Sequence, residues 1–506
     1  MLARIATFAI DGVDPRQVLV EVHIRAGLPA FAIVGLADTA VRESRDRIHS
    51  AILNSKFEFP SRRITANLAP AFLRKVGPGF DAALALAVLA ASGQIPRDAL
   101  AAYAVFGELS LGGELRDSPG ALVVAEGARR AGLTKLIVPR ERAREAALVE
   151  GLEVAGVSTL RAAAEVVLGA RPPELPEAPP PAELREPVAE PDLADVRGHA
   201  LPMLALQIAA AGGHNLLLEG PPGTGKTMLA RRLPSILPRM TRAEAIEVTR
   251  IHSVAGLHAD GLIGSRPFRA PHHTISPSGL VGGGALPRPG EATLAHRGVL
   301  FLDELSEFQR STLDALRQPL EDGSVAIVRG QRALVFPTKF MLIAATNPCP
   351  CGFAGIEDRC NCGEADIRRH RRKLSGPLLD RMDLLVDVGR PTERELTSGP
   401  ITSSDSARRR VAQARERQRA RLDGTTASCN GEMDARTVRR HVALDEPAEQ
   451  ALTQAYSVGA LSARGRHRVL RVARTIADLE GHERVSHQDL LTALGLRQQP
   501  DLASAA

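Results

Sequence analysis

The chain reads as an α/β protein built on a parallel sheet, with an α+β block before it and an all-helical segment after it. Three observations carry that reading. Apolar, strand-like runs at 215–218, Val299–Leu302 and 340–345 each end on a short polar string. Helix-like patterns separate these runs, as a parallel sheet covered on both faces requires. From about 391 to 506 the periodicity is helical almost throughout.

A chain of 506 residues exceeds one hydrophobic core, so several domains are expected. Apolar residues make up 44% and charged residues 24%, which excludes a disordered or fibrous class. There is no Trp and there are only two Tyr, so the core must be built from Ala, Val and Leu. The net charge of +6 is too small to name a partner by itself. No apolar run reaches the ~18 residues of a membrane span, so no membrane partner is expected. The opening MLARIATFAI is too short for a signal peptide and lacks a small-residue cleavage site. A cytoplasmic location is the expectation.

The first block, 1–170, mixes strand-like runs at 19–24 and 136–139 with helix-like runs at 38–54 and 81–91. The segment 171–191, dense in Pro and Glu, reads as an extended linker with no core of its own. The second block, 192–390, holds the three apolar strands. The third, 391–506, carries helical patterns at 408–421, 448–459 and 466–480.

The string Gly220-Pro221-Pro222-Gly223-Thr224-Gly225-Lys226-Thr227 fits the phosphate loop G-x-x-x-x-G-K-[ST] in full, after a strand and before a helix. Its glycines let backbone N–H groups converge on phosphate oxygens, and the following helix N-terminus adds positive partial charge. Lys226 is expected to reach the β- and γ-phosphates of ATP, and Thr227 to ligate Mg²⁺. The strand Val299–Leu302 delivers Asp303 to the Mg²⁺ shell and Glu304 to the attacking water. Asn347, ending the next strand, would orient that water. Arg381 would stabilise charge on the transferring phosphoryl group from a neighbouring subunit. Arg464, opening a later helix, would act as a second γ-phosphate sensor.

Four of five cysteines form two C-x-C pairs, Cys349/Cys351 and Cys360/Cys362. Four thiolates suit a structural Zn²⁺; an Fe–S cluster or free redox thiols are the alternatives. His272 and His273 read as turn or interface residues, and Cys429 as inert. Seven arginines in 408–421, with more at 464–474, would neutralise phosphates or pair with nearby acids. No aromatics interleave, so any nucleic-acid contact would be with backbone and shape.

Together these residues resemble the AAA+ ATPases. Longer strings are more specific: RPFRAPHHTIS at 266–276, GGGALPRPGEATLAHRGVLFLDEL at 282–305, ATNPCPCG at 345–352, LPAFAIVGLADTAVRESRDRI at 28–48 and NLAPAFLRKVGPGFD at 67–81 resemble the YifB/ComM family of Mg-chelatase-like ATPases. The resemblance covers nearly the whole chain. It implies an AAA+ P-loop core with a C-terminal helical lid, a homohexameric ring of the helix-2-insert class, and a DNA branch-migration activity like that of natural transformation. The insert would fall within about 250–284. A second pore hairpin would span 324–337 and carry Arg329 and Arg332 towards DNA. The alternative partner is a protein, as for a Mg-chelatase-type or remodelling ATPase. The first block is similar to the Lon protease domain, but Gly79 and Leu122 stand where the nucleophilic Ser and its Lys would be. A Ser–Lys pair needs both groups, so a scaffold or docking domain without peptidase activity is expected.

Overall fold

The computed structural model describes residues 1–36, 38–172, 191–257, 261–284, 288–329, 332–356, 359–374, 376–459 and 461–497. Most of the expected linker, 173–190, lies outside them, as do the side chains of Arg329 and Arg332. The contacts divide the chain into two compact units. One is Met1–Glu186 with Arg242–Ile263 and Val328–Val335; the other is Pro187–Thr241, Gly264–Ile327 and Phe336–Ala506.

The first unit is α+β. Its seven-stranded sheet runs in the order Ala30–Val34, Arg63–Ala69, Asp14–Arg25, Leu2–Asp11, Tyr103–Val105, Lys135–Pro139, Glu153–Val157. Leu2–Asp11, Asp14–Arg25 and Arg63–Ala69 pair antiparallel, and the remaining neighbours pair parallel. The helix Thr39–Asn54 starts where Asp38 accepts a bond from Val41 N, an N-cap that satisfies one of the free first-turn donors. The helix Asp81–Ser92 is buried on every face from Asp81 to Ala91, which only an Ala/Leu/Val sequence permits. Its one charge, Asp81, is met by Arg47 at 2.8 Å and by the Ser44 hydroxyl. A Cβ on Gly79 would lie 2.4 Å from the Phe106 ring, and Leu122 is buried, its backbone N–H donating to Glu145 Oε1 at 2.9 Å. Neither residue carries a hydroxyl or an amine, so neither supplies half of a Ser–Lys pair.

The sequence-based division set 242–263 inside the second block. In the structure this segment belongs to the first unit, because its helix Arg242–Val254 is bonded there: Ser253 to Glu145, Arg250 to Glu126 at 3.4 Å, and Arg242 to Glu150 at 2.7 Å. Periodicity identifies such a helix but not the surface it will pack on.

The second unit holds a five-stranded, all-parallel sheet in the order Phe268–Arg269, Val299–Leu302, Met341–Thr346, Leu216–Glu219, Leu384–Asp387. All but the first of these strands are four to six residues of nearly continuous apolar sequence, as expected of strands covered on both faces. The helices that follow, Ser404–Arg421, Ala435–His441, Glu446–Ser457, Ala463–Glu480 and His487–Gly495, share one hydrophobic cluster with the sheet. In the insert region, Pro277–Val281 is helical and Gly282–Gly283 pairs with Arg288–Pro289, so this strand pair extends past 284. The strands Ser324–Arg329 and Arg332–Pro337 form a separate two-stranded sheet, with Val328 68% and Val335 55% exposed. Among the described residues no helix is long and apolar enough to cross a membrane.

Candidate functional site

The strand Met341–Thr346 lies between the phosphate-loop strand and the Val299–Leu302 strand. Glu219 pairs with Thr346, and Leu302 pairs with Ala344. Three strand ends therefore bring the phosphate loop, Asp303 and Asn347 to one edge, the usual ligand crevice of a parallel sheet.

Gly220 passes so close to the neighbouring strand end that a Cβ there would sit 2.3 Å from the Val388 carbonyl oxygen. Gly225 has φ 88° and caps the helix Lys226–Ile236, a left-handed conformation that favours glycine. The Lys226 ammonium folds back over this loop. It donates to the Gly220 carbonyl at 2.5 Å, the Pro221 carbonyl at 2.8 Å and Asn347 Oδ1 at 3.1 Å. Burial pushes its pKa down, while Asp303, Glu219 and Asp387 pull it back up. Within the loop, the Thr224 hydroxyl donates to the Pro221 carbonyl at 2.9 Å. The Thr227 hydroxyl donates to Asp303 Oδ2 at 2.7 Å. A hydroxyl and a carboxylate at bonding distance are hard oxygen donors, the kind Mg²⁺ takes.

Glu304 has φ 51° and ψ 49°, a left-handed conformation that costs a residue with a Cβ roughly 1–2 kcal/mol. The turn holds the Glu304 carboxylate on the exposed side of the sheet edge, 3.6 Å from His273 Nδ1. The rings of His272 and His273 are 4.1 Å apart, and His273 packs edge-on to Phe308 at 6.4 Å. His273 is therefore fixed beside the candidate base. In the sequence it reads as a turn or interface residue, and its one signal is its place in the PHHTIS string.

Arg381 is ion-paired with Glu321. Burial, then Arg317 and Arg464, push its pKa down, so three guanidinium groups lie near enough to act on one another. Such a cluster is electrostatically suited to an anion. Arg464 lies exposed in the first turn of the helix Ala463–Glu480, just after its N-cap Ser462.

The other arginine-rich segments bond mainly within the protein. Arg408 donates to the Ser235 carbonyl at 2.8 Å, Arg410 to Glu480 at 2.9 Å, Arg415 to the Ala210 carbonyl at 3.0 Å, and Arg417 to the Asp478 carbonyl at 2.5 Å. Arg421 and Arg474 close on the fully buried Asp478 at 2.5 and 2.9 Å. Of the two readings of these segments, internal pairing is the one these side chains adopt, because the carbonyl ends of neighbouring helices attract guanidinium groups.

The four cysteines converge. Sγ–Sγ distances are 3.3 Å for Cys349–Cys351, 3.9 Å for Cys349–Cys360 and 3.7 Å for Cys351–Cys360, and all four sulfurs lie within 4.8 Å of one another. Zn–S bonds of ~2.3 Å in a tetrahedron put sulfurs ~3.8 Å apart, so the set fits a Zn²⁺ ion. Backbone N–H bonding from Phe353 leads the pull that lowers the Cys351 thiol to about 6, while bonding to Cys351, burial and the neighbouring Cys349 push Cys362 up to about 12.

Three family models match the chain: "Magnesium chelatase, subunit ChlI" over residues 192–396, "Subunit ChlI of Mg-chelatase" over 20–142, and "Magnesium chelatase, subunit ChlI C-terminal" over 401–497. The chain is 43% identical over 504 residues to "Uncharacterized protein YifB" of Salmonella typhimurium, covering 98% of this chain and 97% of that one. It is 42% identical over 500 residues to "Uncharacterized protein Rv2897c" of Mycobacterium tuberculosis, covering 98% and 99%. It is 40% identical over 513 residues to "Competence protein ComM" of Haemophilus influenzae, covering 98% and 97%.

Proposed function

This chain belongs to the YifB/ComM family of magnesium-chelatase-like AAA+ proteins, and from that membership we propose that it is a Mg²⁺-dependent ATPase working as a homohexameric ring on branched or single-stranded DNA in the cytoplasm. The observation that carries the ATPase reading is the meeting of Lys226, Thr227, Asp303 and Asn347 at one sheet edge within single hydrogen bonds. In this reading the loop amides and Lys226 hold the triphosphate, and Thr227 and Asp303 hold Mg²⁺, which supplies charge neutralisation at the phosphates. Asn347 and Glu304 orient and polarise the attacking water, and His273 holds the Glu304 carboxylate in place. Arg381 and Arg464 face the γ-phosphate of a neighbouring subunit. Cys349, Cys351, Cys360 and Cys362 hold one structural Zn²⁺.

The DNA role draws support from the similarity to a competence protein and from the two-stranded sheet of Ser324–Arg329 and Arg332–Pro337, whose Arg329 and Arg332 would meet the phosphate backbone. A four-way-junction unwinding assay tests it. ATP-dependent strand exchange, with DNA-stimulated hydrolysis that falls steeply with salt, supports the reading. Indifference to every DNA form defeats it. A second reading, a chelatase-type ATPase acting on a protein partner, is favoured by the three matched family models. It predicts hydrolysis stimulated by a protein and unaffected by DNA.

A further inference from the structure

The thiol loop is bound to the candidate catalytic edge at three points. Cys349 follows Asn347 by two residues, and its buried sulfur accepts from Ala354 N at 3.2 Å. Gly352 packs on the phosphate loop: at φ 87°, a Cβ there would lie 2.6 Å from Pro222 Cδ and 3.8 Å from Asn347 Cγ. After Cys362 the chain enters the helix Glu364–Lys373, whose buried His370 is bonded through Nε2 to the Asn347 carbonyl at 3.0 Å. Asn347 is thus gripped on one side by the first cysteine pair and on the other by a helix springing from the second pair.

The loop has little else to hold it. Among the described residues of 348–363, Cys349 is the one buried hydrophobic side chain, and Phe353 is half-buried under the Arg359 guanidinium at 4.3 Å. A metal would order a segment with so small a core, because binding free energy becomes folding free energy.

We infer that the metal held by the four thiolates is a positioning element for the hydrolysis step, fixing Asn347 against the phosphate loop so that metal occupancy controls turnover and leaves triphosphate binding intact. The inference rests on the Zn²⁺ reading above and adds a consequence to it. Binding depends on the loop amides and Lys226, which belong to the Leu216–Glu219 strand and the helix after it. Asn347 is needed only when water attacks. Cys349, Cys351, Cys360, Cys362 and His370 are therefore positioning residues, and their loss acts on kcat rather than on KM.

The test uses the full chain. Metal content is measured by emission spectroscopy on the protein as purified, after a zinc-selective chelator in excess Mg²⁺, and after zinc is returned. Affinity for a fluorescent ATP analogue and steady-state ATP hydrolysis are measured on the same samples. The expected result is about one Zn²⁺ per chain. Chelated protein should bind the analogue within about twofold of the starting affinity, lose about tenfold or more in kcat, and recover with one equivalent of zinc. His370→Phe removes the tether but no thiolate. It should keep its zinc and its analogue affinity while kcat falls about tenfold. Failure to carry or take up zinc overturns the metal reading itself. Stoichiometric zinc with kcat unchanged by chelation and by His370→Phe overturns the coupling alone. Loss of analogue binding in step with zinc overturns the assignment to the hydrolysis step.

Discussion

Thr227 Oγ1 and Asp303 Oδ2 are 2.7 Å apart although 76 residues separate them in sequence. The strand Met341–Thr346 sits between the strands Leu216–Glu219 and Val299–Leu302 that lead to them, so the bond closes across the end of an intervening strand. Both oxygens suit one divalent ion. Thr227→Ala and Asp303→Asn should each raise the Mg²⁺ concentration needed for half-maximal ATP hydrolysis by on the order of tenfold. A Mg²⁺ titration of steady-state turnover reads this directly, and unshifted midpoints would remove both residues from the ion's shell.

Glu304→Gln keeps the shape of the side chain and removes the proposed base. Turnover should fall by about 10²–10⁴-fold, the usual contribution of general-base catalysis. ATP affinity, measured by calorimetry, should stay within about twofold, because the residue is asked to act on water rather than on phosphate. Turnover close to that of the unaltered protein would reassign the base.

His273→Ala leaves Glu304 in its left-handed turn without the imidazole 3.6 Å away. The expected outcome is about a tenfold drop in kcat with KM unchanged, a pattern reserved for interactions made in the transition state. His272→Ala, whose ring nitrogen bonds the Thr274 hydroxyl at 2.9 Å, should have the smaller effect.

Asp383 ties the sheet to the helical segment. It lies 3.4 Å from Arg471, 3.5 Å from His214, and accepts from Asn215 N at 3.2 Å. Burial alone would raise its pKa, but Arg471, His214 and the Asn215 N–H together outweigh it and hold the carboxyl at about 2. The folded value lies below the ordinary 3.8, so the unfolded chain binds the proton first. The stabilisation is complete above about pH 4 and is lost as pH falls from there towards about 2, a contribution on the order of 2 kcal/mol. Thermal melts across that window should fall steeply for the unaltered protein. Asp383→Asn should melt lower at neutral pH and show a flatter acid limb.

The nucleotide edge was legible because its chemistry is carried by short strings whose strand context can be read beside them. Periodicity located three of this sheet's strands within a residue, the run read at 215–218 being the strand Leu216–Glu219 and that at 340–345 being Met341–Thr346, but it did not find Phe268–Arg269 or Leu384–Asp387. Pairings distant in sequence were not legible. Nothing in local pattern links His273 to Glu304, Arg381 to Glu321, or the helix Arg242–Val254 to Glu145. The arginines of 408–421 look the same in sequence whether they meet phosphates or the carbonyl ends of neighbouring helices. Only the packed structure, where Arg408 and Arg415 reach the carbonyls of Ser235 and Ala210, separates the two. The four cysteines were visible as two pairs, but their grip on Asn347 depends on His370, which no spacing rule selects.

The central claim is a triphosphate site completed by a second copy of the chain, and mixing two inactive variants tests it most directly. In the proposed ring, Lys226→Ala would lose its own phosphate grip but still present Arg381, and Arg381→Ala would keep its grip but offer its neighbour no guanidinium. Each alone should hydrolyse ATP about 10³-fold more slowly than the unaltered protein. Mixed in equal amounts and allowed to reassemble, they should regain a substantial fraction of wild-type ATP turnover, because some interfaces then hold both groups. A mixture no faster than its components, or an Arg381→Ala variant with full turnover on its own, would contradict the shared site.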